Sequence, residues 1–77
     1  MATDLDQRVS RILGQLRGIQ KMVAEKRKEV EILQQVSAVK KAIDGLSNEI
    51  VLQYFKKKSS SQDLAEIKEL IKRMVDL

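Results

Sequence analysis

The sequence contains no cysteine, histidine, tryptophan or proline, and only one tyrosine and one phenylalanine. Each absence excludes something. Without cysteine there is no disulfide framework and no thiolate chemistry. Without cysteine and histidine together, the donors that hold zinc, copper and nickel are missing, so neither a metal site nor a cofactor is expected. The lack of histidine also removes the usual general base of neutral-pH catalysis. No apolar run approaches the ~18 residues of a membrane span. The opening stretch MATDLDQRVS is acidic and has no apolar centre, so it does not read as a signal peptide. A cytoplasmic protein without membrane contact is the expectation.

What is present is charge and helical periodicity. The 77 residues make one small domain, 1–77, with 34% charged and 43% apolar residues. The net charge is +4, and the excess of lysine and arginine lies ahead of residue 59. Such asymmetry suits a polyanion partner, and it also suits plain solubility. A chain this short buries only ~60% of its unfolded surface. Small scaffolds without disulfides or metals often associate to compensate, so self-association is expected.

In the first segment Leu5, Val9, Ile12, Leu16, Ile19 and Val23 alternate spacings of four and three, widened by Leu13 and Met22. That is the seam of an amphipathic helix, expected over about residues 4–25. Thr3 followed three residues later by Asp6 resembles a capping box. The polar run Glu25-Lys26-Arg27-Lys28 interrupts the seam and allows an antiparallel return. Ile32, Val36, Val39, Ile43, Leu46 and Ile50 repeat the same spacing, which predicts a second helix over about 28–57. At ~1.5 Å per residue it is roughly 45 Å long, and its overhang needs a second copy of the chain to cover it. Lys56-Lys57-Lys58 closes that helix. Ser60 and Asp63 offer a new cap, and Leu64, Ile67, Leu70, Ile71, Met74 and Val75 predict a third helix over about 62–76. No segment alternates with period two, so no sheet is expected.

Few residues here carry chemistry. Gly14 and Gly18, four apart on one helix face, allow either tight helix packing or the close approach of a ligand or nucleic acid beside Arg11 and Gln15. They are not a phosphate loop, because no glycine-rich turn joins a strand to a helix. Arg8, Arg11, Arg17 and Lys21 make the first helix basic, and Lys40 and Lys41 add a second basic point. Read alone, each is also an ordinary solvated side chain. There is no calcium-loop spacing and no base beside Ser59–Ser61, so no enzyme is expected.

The string RVSRILGQLRGIQKMV at 8–23, followed by EVEILQQVSAVKKAI at 29–43, resembles the CsoR/RcnR family of bacterial transcriptional repressors, whose members respond to copper, nickel or formaldehyde. The resemblance implies an all-α fold: an antiparallel α-hairpin with a short third helix, forming a dimeric four-helix bundle that assembles to a tetramer. It implies a repressor that binds operator DNA through Arg11, Gln15, Arg17, Lys40 and Lys41, with Arg8 and Lys21 as supporting electrostatics. The alternative is a helical oligomerisation module, such as a partner subunit of a metal-sensing paralogue. The family's sensing members carry cysteine, histidine and cysteine at positions that here read Glu29, Tyr54 and Lys58. The known sensing chemistry therefore does not carry over. The family's allosteric glutamate of the third helix corresponds to Glu69.

Overall fold

The computed structural model describes residues 3–57 and 64–76. They form three helices: α1, Asp4–Ala24; α2, Glu29–Lys57; and α3, Leu64–Val75. No strand occurs among the described residues. The expected all-helical fold is the one observed. Lys58 and the cap expected at Ser60 and Asp63 lie outside the described residues.

Two compact units divide the chain, Met1–Leu46 and Ser47–Leu77, with the boundary inside α2. In the first, α1 starts on a full capping box. The Asp6 amide donates to Thr3 Oγ1 at 3.0 Å, and the Thr3 amide donates to Asp6 Oδ2 at 3.3 Å. Two of the orphan amides of the first turn are thereby satisfied. The helix ends in a Schellman-type turn. Lys26 adopts φ 56°, its amide donates to Val23 O at 3.1 Å, and the Arg27 amide donates to Met22 O at 3.0 Å. This lets the chain reverse within four residues, without the glycine that usually takes the left-handed position. Lys28 then opens α2, its carbonyl accepting from the Glu31 and Ile32 amides. The Arg27 Nε donates to Glu31 Oε2 at 2.9 Å across the same turn.

The reversal makes an antiparallel hairpin of α1 and the first part of α2. Arg8 and Gly45, equally far from the turn on either side, are in contact. Only Ile12, 7% exposed, and Val39, 5% exposed, are buried apolar side chains among the described residues. The covered stripe of α1 is Leu5, Arg8, Ile12, Gln15, Ile19 and Met22. This differs from the expected seam. Leu5, Ile12 and Ile19 do face inward, but Val9, Leu16 and Val23 do not, and the inward places between are taken by Arg8 and Gln15. Arg8 can fill such a place because its long stem packs while its charged head reaches the edge, whereas the Gln15 Oε1 stays buried. On α2 the seam splits likewise. Ile32, Val39 and Leu46 are covered, whereas Val36 and Ile43 stay exposed.

The second unit is smaller. Ser47 is buried there, and Val51 and Tyr54 of α2 and Ile67, Leu70 and Met74 of α3 are half-buried. The last three, spaced three and four apart, are one face of α3. Ser47, Ile50, Val51, Leu70, Arg73 and Met74 line an apolar cleft of about 160 Å³. The Tyr54 ring meets that of Phe55 edge to face, with centroids 5.6 Å apart. No helix among the described residues is long and apolar enough to cross a membrane.

Candidate nucleic-acid interface

The hairpin has two unlike flanks, and helix periodicity sets both. Residues three and four apart share a helix face. On one flank of α1 lie Val9, Leu13, Leu16 and Val23, all exposed. On the other, the spacing 7, 11, 14, 18, 21 aligns Gln7, Arg11, Gly14, Gly18 and Lys21, also exposed. A Cβ added at Gly14 or Gly18 meets nothing within 4 Å. Neither glycine packs tightly against another described helix of the same chain. They leave a shallow, bare strip between Arg11 and Lys21.

Arg8 leans across to α2, where a Cβ at Gly45 would stand 3.3 Å from its Nη1. Lys41 lies one turn before Gly45 on the same face. The structure thus brings Arg8, Arg11, Gln15 and Lys41 to one side of the hairpin. Lys21 continues the row on α1, and Arg17 borders it, three residues beyond Gly14 and four before Lys21. Lys40 does not join them. It lies four residues after Val36 and three before Ile43, beside the exposed apolar positions of α2.

Most charges of this flank are uncompensated. Among the described residues the ion pairs are Lys21–Glu25 at 4.0 Å, Arg27–Glu31 at 2.9 Å and Arg73–Glu69 at 2.7 Å. Arg8, Arg11, Arg17, Lys40 and Lys41 are in none of them. The Lys21 pair is exposed and at the limit of contact, so it neutralises little. Gln15 is half-buried, and its Oε1 is buried with no hydrogen-bond partner. It does not simply face water, as a helical glutamine usually would.

No group of three or more histidine, cysteine, aspartate or glutamate side chains that could hold a metal ion occurs among the described residues. Glu29 is exposed in the first turn of α2, and Tyr54 is half-buried near its end. A carboxylate, a phenol and an ammonium are not the donor set of a soft or borderline ion, so these positions do not fit one. Glu69 is engaged by Arg73 on the exposed side of α3.

The family model of the metal-sensitive transcriptional repressors matches residues 2–77. The chain belongs to that family. It is a family of repressors, not of enzymes. No curated protein and no solved structure matches the chain. The feature of this repressor that the sequence did not single out is Gly45. Its signal was a lone glycine in a helix interior, which costs about 1 kcal/mol against alanine and so calls for a reason.

Proposed function

We propose that this chain is a DNA-binding transcriptional repressor that holds operator DNA on the basic flank of its α1–α2 hairpin. The observation that carries the reading is the row of cations beside bare glycines, all of them unpaired except Lys21, whose exposed contact with Glu25 is at the limit of an ion pair. Arg11, Arg17, Lys21 and Lys41 contact phosphates, Arg8 supports them, and the missing side chains of Gly14 and Gly18 let the DNA backbone approach. Lys40, beside the apolar positions of α2, lies off this face. Phosphate contacts supply most of the affinity, so binding weakens steeply with salt. No helix-turn-helix is required, and DNA shape contributes much of the specificity. A repressor acts where the chromosome is, which puts it in the cytoplasm.

The repressor works as a homo-oligomer, a dimer or a pair of dimers. Val9, Leu13, Leu16 and Val23 of α1 and Leu33, Val36 and Ile43 of α2 are exposed apolar side chains at helical spacing. A single hairpin with two buried apolar residues has too small a core to stand alone. Pairing of two hairpins through these stripes makes a four-helix bundle and leaves the basic flanks outward.

Metal sensing is lost in this reading, because Glu29, Tyr54 and Lys58 stand where the family's soft donors are. The missing donors equally favour the alternative, a subunit that pairs with a metal-sensing paralogue. Mobility shift of the purified protein on DNA upstream of its own coding sequence separates the two. A shift by the homo-oligomer supports the repressor; binding that needs a second, metal-sensing chain supports the alternative.

A further inference from the structure

Of the three glycines in the chain, Gly45 alone has its bare Cα used by another side chain. It sits in the interior of α2, where glycine is a poor helix former. Its backbone does not require glycine, since no glycine among the described residues has positive φ. What it leaves is room. A Cβ there would meet Arg8 Nη1 at 3.3 Å, closer than an ordinary van der Waals contact. Arg8 comes from the opposite helix, is half-buried, and forms no ion pair with any described carboxylate, not even with the neighbouring Asp44.

We propose that Gly45 is a positioning residue: it seats the Arg8 side chain across the hairpin and so fixes one cation for a DNA phosphate. The inference rests on the DNA-binding reading above and deepens it. An arginine free to swing loses side-chain entropy when it binds, whereas one already laid against a neighbouring helix loses less. An unpaired guanidinium keeps its donors available for a charge-assisted bond to phosphate. A Cβ at position 45 makes the guanidinium give way by a few tenths of an ångström, which loosens its seat and costs part of that preorganisation.

The experiment is a double-mutant cycle with Gly45→Ala and Arg8→Ala, read by two signals. The first is affinity for a labelled duplex carrying the DNA upstream of the chain's own coding sequence. The second is the thermal midpoint of the protein alone. Arg8→Ala weakens binding by about tenfold, about 1.4 kcal/mol. Gly45→Ala weakens it several-fold although alanine is the better helix former, and adds no further loss in the Arg8→Ala background. The gain in thermal midpoint from Gly45→Ala is larger when Arg8 is already gone. Unchanged affinity in Gly45→Ala, or the same loss in both backgrounds, overturns the positioning role. Equal thermal gains in both backgrounds overturn the seat itself. If the wild-type protein retards neither this duplex nor a non-specific one at low salt, the DNA reading falls and the positioning role with it, while the thermal cycle still decides the seat.

Discussion

Replacing Leu16 by alanine separates an isolated hairpin from an assembled one. Leu16 is 46% exposed in the single chain. Full burial of a leucine side chain stabilises by about 1.5–3 kcal/mol, so a solitary hairpin loses only about half of that on truncation. In a bundle that covers the α1 stripe, the remaining half is lost at the interface. Two protomers then lose about 1.5–3 kcal/mol per dimer, or ten- to hundredfold in the dissociation constant. Sedimentation equilibrium across a concentration series reads this directly, and thermal midpoints should rise with protein concentration in the wild type. Ile12→Ala is the control: Ile12 is 7% exposed within the chain, so its loss destabilises by about 2–5 kcal/mol whatever the oligomeric state. Ile43→Asp is the severe version. Ile43 is 36% exposed in one chain, and an unpaired carboxylate at a covered interface costs several kcal/mol, enough to dissociate the assembly. A wild-type chain that is folded and monomeric at micromolar concentration, with a midpoint independent of concentration, would refute the argument.

Two further outcomes follow from particular residues. Lys26 holds φ 56° at the end of α1. Lys26→Gly should therefore stabilise the hairpin, by about 0.5–1 kcal/mol in a denaturant melt, because glycine takes the left-handed region without strain; a destabilised variant would mean that the lysine side chain contributes there. Where the family's sensing members hold their effector, Glu29, Tyr54 and Lys58 are proposed to form a metal-free contact across the dimer. Glu29→Ala and Lys58→Ala should each shift DNA affinity or dimer stability, and the double variant should show coupling; additive effects demote the three to drifted surface positions. Titration with copper(I) or nickel should find no stoichiometric tight site, and finding one contradicts the loss of sensing.

Much of the fold was legible because its local signals are strong. Thr3 and Asp6 announced a cap that the structure forms in full, and the run at 25–28 is the turn. The observed α1 and α2 each lie within a residue of the expected ends. The inward face was less legible. A seam reading gathers all apolar residues at spacings of four and three onto one side, whereas this hairpin divides them. It turns Ile12 and Ile19 inward with Arg8 and Gln15 and leaves Val9 and Leu16 outward. Periodicity alone cannot distinguish an intrachain seam from an adjacent interchain one, since both recur every seven residues. The basic residues were legible as a set but not as a surface. Lys40 and Lys41 are neighbours in sequence, yet about 100° apart around α2. Gly45 stood out only as a lone glycine in a helix interior, because the side chain it meets, Arg8, comes from the opposite helix.

The central claim is that the flank of Arg11, Arg17 and Lys41 binds DNA through phosphates. Its most direct test is the salt dependence of operator affinity, measured by fluorescence anisotropy for the wild type and for Arg11→Ala and Arg17→Ala with helicity checked by circular dichroism. The logarithm of affinity should fall linearly with the logarithm of salt, by about 0.9 per phosphate contacted. Each variant should bind more weakly on all sequences, with a salt slope shallower by about one. A loss of about 1–3 kcal/mol confined to the operator would instead mean that the side chain reads a base edge on the same flank. Operator affinity and salt slope unchanged in both variants, with the helices intact, would contradict the account.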